Sequence, residues 1–270
     1  MMNSSELLHI PTPTQNATLR LICFSYAGGS ATTYLLWKNH LPPQVELVVC
    51  QLPGRGVRLF EEPYENIHLL VHELCIAMKK LCDKPFVLFG HSLGCKVAYE
   101  LCIAMQQQHL PLPVHFVASA SAAPFYRRTK APIHALPDDS FIAAIAQLNG
   151  TSSQALNNPE IMSLYLPALR ADFKMAETYL NQSKYFLATQ LTILGGVMDI
   201  VVTPSELMGW RQLFEKTASI EWLEGDHFFI NQSTKLLTYI NHILSCEIKQ
   251  RLETKPTHIN NEQFLFAELT

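Results

Sequence analysis

The sequence predicts an α/β fold with a mostly parallel central sheet, and three observations predict it. Six short apolar runs rich in β-formers recur along the 270 residues, helical patterns lie between several of them, and one run ends in a glycine-flanked turn leading straight into a helix. Near-continuous apolar runs are expected of strands buried on both faces, as in a parallel sheet. Strand and helix alternating in this way imply a doubly wound arrangement.

The strand segments, in order, are 19–24 (LRLICF), 45–50 (VELVVC), 86–89 (FVLF), 114–119 (VHFVAS), 191–194 (LTIL) and 219–223 (SIEWL). Residues 65–82 place Leu69, Leu70, Leu74, Ala77, Met78 and Leu81 at helical spacing, and 93–105 do the same with Val97, Ala98, Leu101, Cys102 and Met105. The rhythm breaks between 119 and 191, where helix signals stand alone. Asp138 or Asp139 is expected to cap a helix running to a stop near Gly150, and Asn158-Pro159 reads as N-cap and first position of another. Pro167 is expected to open a third helix through ALRADFKMAETYL. This helical insertion, at about 124–187, is a candidate lid within a single domain spanning 1–248. The polar segment 249–270 is expected to be a peripheral tail.

Composition narrows the function. Hydrophobic residues make up 48% of the chain, enough for a substantial core, and the net charge of −3 comes with no basic stripe that would suit nucleic acid. The opening MMNSSELLHIPTPTQ lacks the basic n-region and apolar core of a secretory signal, and no apolar run reaches the length of a membrane span. Seven cysteines without regular spacing argue against a disulfide framework or a zinc site. They are expected to be reduced and mostly buried, as in a cytoplasmic protein.

The glycine-flanked turn is Gly90-His91-Ser92-Leu93-Gly94, and it fits G-x-S-x-G. A strand ends at Phe89 and a helix begins just after Ser92, the setting that distinguishes a nucleophile elbow from a chance match. Such a turn lifts the serine hydroxyl above the sheet, with the helix N-terminus pointing its N–H groups at developing negative charge.

A serine nucleophile needs a base, and the base an orienting acid. In this architecture they follow in the order Ser, acid, His. His227 follows the last strand within EGDHFF, where a loop returns it to the carboxyl edge of the sheet, so it is the expected base. Asp199 follows the strand LTIL and is preferred as the acid over Asp226, whose adjacency to His227 disfavours hydrogen bonding between the two side chains. For the oxyanion, Leu93 N–H is one expected donor. The second is Ala27 N–H, with Tyr26 the alternative, from the loop FSYAGGSA after the first strand. Asp138, Asp139 and Asp172 are expected to act as caps or surface charge. Phe228, Phe229 and Tyr26 are candidates to line a substrate site.

Eight segments recur in a known order: YAGGSA (26–31), Trp37, QLPGRGVR (51–58), FGHSLG (89–94), VAYEL (97–101), LPALRADF (166–173), GGVMD (195–199) and GDHFF (225–229). Together they resemble the type II thioesterases of polyketide and non-ribosomal peptide synthesis, relatives of the medium-chain thioesterases of fatty acid synthesis. The resemblance implies an α/β-hydrolase fold with a helical lid between the strands at 114–119 and 191–194, and a triad of Ser92, Asp199 and His227. It also implies substrates carried on the phosphopantetheine of acyl or peptidyl carrier proteins, with no metal or other cofactor of the enzyme's own. A cytoplasmic monomer is expected. The chain departs from the family pattern at Ser25, where proline is usual, and at Cys95, where glycine or alanine is usual. Cys95 is expected to be a small packing residue. Arg55 and Arg58 suit either a pantetheine phosphate or the fixing of their own loop.

Overall fold

A computed structural model describes residues 7–127, 130–151, 153–181 and 185–253. Among the described residues seven strands form one sheet: β1 (Leu8–His9), β2 (Leu19–Phe24), β3 (Val45–Cys50), β4 (Phe86–His91), β5 (His115–Ser119), β6 (Gln190–Gly196) and β7 (Ser219–Leu223). Their order across the sheet is β1-β3-β2-β4-β5-β6-β7, and only β1 runs antiparallel to its neighbour. The helices in chain order are α1 (Thr32–Leu35), α2 (Ile67–Met78), α3 (Leu93–Gln107), α4 (Asp138–Ala146), α5 (Ser153–Leu156), α6 (Pro159–Thr178), α7 (Pro204–Met208) and α8 (Thr234–Glu253).

Alternate residues of the buried strands supply two cores. Ile22, Phe24, Phe86 and Leu88 face α2 and α3, where Leu70, Leu74, Leu101 and Cys102 cover them. Leu21, Cys23, Val87 and Phe89 face the other way, under Tyr34, Trp37, Leu236, Ile240 and Leu244. The two-residue period of a strand thus feeds both faces at once, which is why the runs read as continuously apolar. A third, smaller cluster of Phe141, Ile145, Met162 and Leu169 lies within α4 and α6, so the inserted helices hold a core of their own.

The structure differs from expectation at several points. Strand β1 adds a seventh, edge strand, whose two residues are too few to carry a period. Strand β7 closes the opposite edge and buries only Leu223 fully, so it is not covered on both faces. Helix α4 has Pro137 at its N-cap position; Asp138 and Asp139 lie in its first turn, where they complement the helix dipole rather than cap. Asn158 does cap α6, accepting from the N–H groups of Glu160 and Ile161. Pro167 opens no separate helix and lies inside α6. It forfeits one backbone bond there, while Met162, Ala168, Leu169 and Met175 are buried on either side of it and hold the helix together. Helix α8 continues through 249–253, which therefore are not tail, and 254–270 lie outside the described residues.

Candidate active site

The loops leaving the carboxyl ends of β2, β4, β6 and β7 converge on one point. Ser92, between β4 and α3, has φ 53° and ψ −116°, a conformation that non-glycine residues rarely adopt and that stores backbone strain. The flanking glycines make the turn possible. A Cβ on Gly90 would lie 2.5 Å from the Cα of Cys95, and one on Gly94 would overlap the carbonyl oxygen of Phe24. The same close approach sets the first turn of α3 against the end of β2.

Around Ser92 the hydrogen bonds form a chain. The hydroxyl is 3.0 Å from His227 Nε2, and His227 Nδ1 is 2.8 Å from Asp199 Oδ2. The carboxylate accepts, so Nδ1 carries the proton and Nε2 is the acceptor facing the serine. Asp199 Oδ1 accepts from the N–H groups of Val201 and Val202. Burial opposes ionisation of this carboxyl, but the bonds from His227 and the two backbone N–H groups outweigh it and hold the group below the usual carboxylate range. Asp226 does something else: its Oδ1 accepts from Phe228 N–H at 2.8 Å and shapes the loop that carries His227. The loops after β6 and β7 are zipped together, with Val197 N–H bonding Leu223 and Met198 N–H bonding Gly225, which brings Asp199 to the histidine.

Two residues that pattern reading passed over hold this chain in place. His91 Nε2 lies 2.8 Å from the His227 carbonyl and its Nδ1 lies 2.9 Å from Ser119 Oγ. Because a carbonyl only accepts, His91 Nε2 is the protonated nitrogen and Ser119 donates to Nδ1. Complete burial, reinforced by His227, pushes the His91 pKa down to about 3, so it stays neutral beside the His227 ring. Nothing in a five-residue motif distinguishes such a histidine from a filler at the variable position.

The expected oxyanion donors lie on facing elements. Leu93 is the first residue of α3, and the first N–H groups of a helix lack intrahelical acceptors. In the facing loop, Gly28 N–H bonds Asp172 and Gly29 N–H bonds the Tyr26 carbonyl at 2.8 Å. The groups left to serve are Tyr26 N–H and Ala27 N–H. The Gly29 bond also fixes the peptide plane to which Ala27 N–H belongs.

The remaining candidates separate by burial. Tyr26 and Phe228 meet edge to face, 5.0 Å between centroids, and Phe228 stands 5.1 Å from the His227 ring. Phe229 has no exposed surface and packs against His91, so all of its contacts are internal. A cavity of about 180 Å³ opens beside Gly28, lined by Arg55, Met162, Tyr165 and Leu169 among others. Asp172 is not a cap or a surface charge: it is 1% exposed and paired with Arg55. Arg58 fixes its own loop, bonding the Gln51 carbonyl and Glu61, whereas Arg55 bonds the neighbouring Pro53 carbonyl and also the Gly29 carbonyl of the facing loop. Cys95 Sγ lies 2.9 Å from the Gly90 carbonyl and 3.2 Å from Ser119 N–H. Its complete burial pushes the thiol pKa up to about 12.

A Thioesterase domain profile matches residues 19–244. The chain belongs to the thioesterase family. The thioesterase is similar to Linear gramicidin dehydrogenase LgrE of Brevibacillus parabrevis, 35% identical over 242 residues that cover 88% of this chain and 92% of that protein. Thioesterase PikA5 of Streptomyces venezuelae is 33% identical over 220 residues, 81% of this chain and 78% of the relative. Among solved structures, YbtT, a type II thioesterase from the yersiniabactin NRPS/PKS biosynthetic pathway, superposes with a TM-score of 0.78 at 28% identity, over 89% of this chain and 97% of that one. The sheet, its flanking helices and these relatives make the fold that of an α/β-hydrolase.

Proposed function

We propose that this thioesterase releases acyl groups from the phosphopantetheine arm of acyl or peptidyl carrier proteins, through an acyl-enzyme on Ser92. One observation carries the reading: the hydroxyl–imidazole–carboxylate chain from Ser92 through His227 to Asp199, at 3.0 and 2.8 Å. The carrier-protein substrate is supported by the likeness to YbtT, whose pathway is an NRPS/PKS one.

In the first half-reaction His227 Nε2 takes the Ser92 proton as Oγ attacks the thioester carbonyl. The tetrahedral oxyanion is held by Leu93 N–H and Ala27 N–H, the charge of the new imidazolium by Asp199. Collapse expels the pantetheine sulfur, which takes a proton from His227. An alkyl thiol with a pKa of ~8.5 is a far better leaving group than an alcohol or amine, so the demanding step is the attack. In the second half, His227 deprotonates water, which attacks the acyl-enzyme and returns Ser92 with its proton. The cavity beside Gly28 would take the acyl chain. No step calls for a metal or redox cofactor. Seven free thiols agree with a reducing, cytoplasmic setting.

The test is side-by-side hydrolysis of acyl-carrier protein, acyl-CoA and p-nitrophenyl esters. The proposal expects the highest kcat/KM on the carrier protein. A much higher value on the simple ester would overturn it in favour of a small-ester carboxylesterase.

A further inference from the structure

Two segments that the triad leaves without work, QLPGRGVR and LPALRADF, meet each other on the loop that carries Ala27. Asp172, from α6, accepts from Gly28 N–H at 2.7 Å through Oδ2. The same carboxylate pairs with Arg55 through two bonds of 2.5 and 2.8 Å. Arg55 in turn donates to the Gly29 carbonyl at 3.0 Å. Farther along, Ala31 N–H donates to Gln51 Oε1, and Gln51 Nε2 donates to the Arg55 carbonyl.

We infer that Asp172, clamped by Arg55, is a positioning residue for the oxyanion loop, so that the inserted helix α6 sets the geometry of one oxyanion donor. The inference rests on the acyl-transfer reading above. The route is short and continuous. Asp172 holds Gly28 N–H, Arg55 holds the Gly29 carbonyl, and Gly29 N–H holds the Tyr26 carbonyl, whose peptide plane contains Ala27 N–H.

Packing enforces the same coupling. Gly28 has φ +81°, and a Cβ there would lie 2.5 Å from Leu169 Cδ2, so α6 rests directly on the loop. Gly54 repeats this one residue from Arg55: φ is +78°, and an added Cβ would lie 2.7 Å from the Cβ of Ala168. A displacement of α6 therefore moves the loop, and with it a donor that must lie ~2.7–3.1 Å from the oxyanion.

The nature of the pair points the same way. Arg55 and Asp172 are 3% and 1% exposed. A buried ion pair gives little or no net stability over an apolar pair of similar volume. What an apolar pair cannot supply is an acceptor for Gly28 N–H and a donor for the Gly29 carbonyl.

Three variants test this: D172N, R55K and the double apolar replacement R55M/D172L. Each is assayed on p-nitrophenyl butyrate for kcat and KM, by thermal melting, and by the Ki of an alkyl trifluoromethyl ketone, which forms a tetrahedral oxyanion adduct with a catalytic serine. The expected result is folded protein whose kcat falls ~10- to 100-fold, with KM within about threefold. The ketone Ki rises in the same proportion, and the pH profile keeps its shape because the triad is untouched. A folded R55M/D172L enzyme with kcat and Ki within about twofold of wild type would overturn the inference. So would unfolding of all three variants, which would make the pair a folding device. The simple ester keeps this result separate from the carrier-protein reading, which fails only if wild type prefers simple esters.

Discussion

His91 Nε2 donates to the backbone carbonyl of His227 across 2.8 Å, so the residue before Ser92 holds the histidine whose ring faces the Ser92 hydroxyl. The bond requires His91 to be neutral at Nδ1, where Ser119 donates, and burial supplies that condition by pushing the pKa to about 3.

Stability should therefore fall in mild acid. The unfolded chain takes up a proton at His91 below about pH 6.5, whereas the folded chain does so only near pH 3. Between these values the unfolded state binds more protons, and stability drains as pH falls. From pH 6.5 to 4.5 this site accounts for about 2–3 kcal/mol. Urea unfolding should show wild type losing that much more stability than H91Q between pH 6.5 and 4.5, as a steeper slope against pH. Equal slopes would show that His91 is not held neutral.

Replacing Ser92 with alanine should lower hydrolysis by at least ~10⁴-fold with little change in fold. The left-handed backbone at this position adds a second expectation. S92G should be more stable than S92A to urea unfolding, by about 1 kcal/mol, because glycine relieves the strain. A glycine variant less stable than the alanine variant would mean that the turn is unstrained.

The D199N enzyme should lose about 10⁴-fold in kcat while still binding substrate, since an amide no longer selects the His227 tautomer with Nε2 free to accept. The wild-type carboxyl is held below its ordinary range, so its contribution to stability is present above the unfolded carboxylate pKa and is lost only as pH falls through the depressed value. Steady-state kinetics and acid titration of both proteins check the two statements. Single-turnover rates within tenfold of wild type would exclude Asp199 from the triad.

Cys95 should be dispensable for chemistry. Its pKa near 12 leaves almost no thiolate, and its sulfur is engaged by Gly90 and Ser119. C95A should retain kcat within about threefold and lose about 1 kcal/mol of stability. Iodoacetamide on native protein, read by peptide mass spectrometry, should label exposed Cys246 and spare Cys95. A dead but folded C95A would assign the thiol a role in the reaction.

The elements that were readable in advance are those written by local rules. The buried strands β2 to β6, the helices α2 and α3, and the Asn158 cap follow from side-chain periodicity, helix capping and turn chemistry within a few residues. The elbow was readable for the same reason, because Gly90 and Gly94 are demanded by close packing at fixed offsets from Ser92. The order Ser92, Asp199, His227 follows from which loops leave the carboxyl edge of a parallel sheet. Pro167 misled because a proline's local preference was overridden by the apolar face of α6.

Sequence alone thus determined the fold class, the turn that carries Ser92 and the chain order of the residues that meet it, since periodicity and turn geometry act over neighbouring residues. Tertiary structure decided which contacts those partners make. Asp199 reaches His227 while the adjacent Asp226 turns to the Phe228 backbone. His91 closes onto a carbonyl 136 residues away, and Asp172 reaches Gly28 across 144. A buried charge or imidazole is defined by what surrounds it after the chain has closed, and no local pattern carries that information.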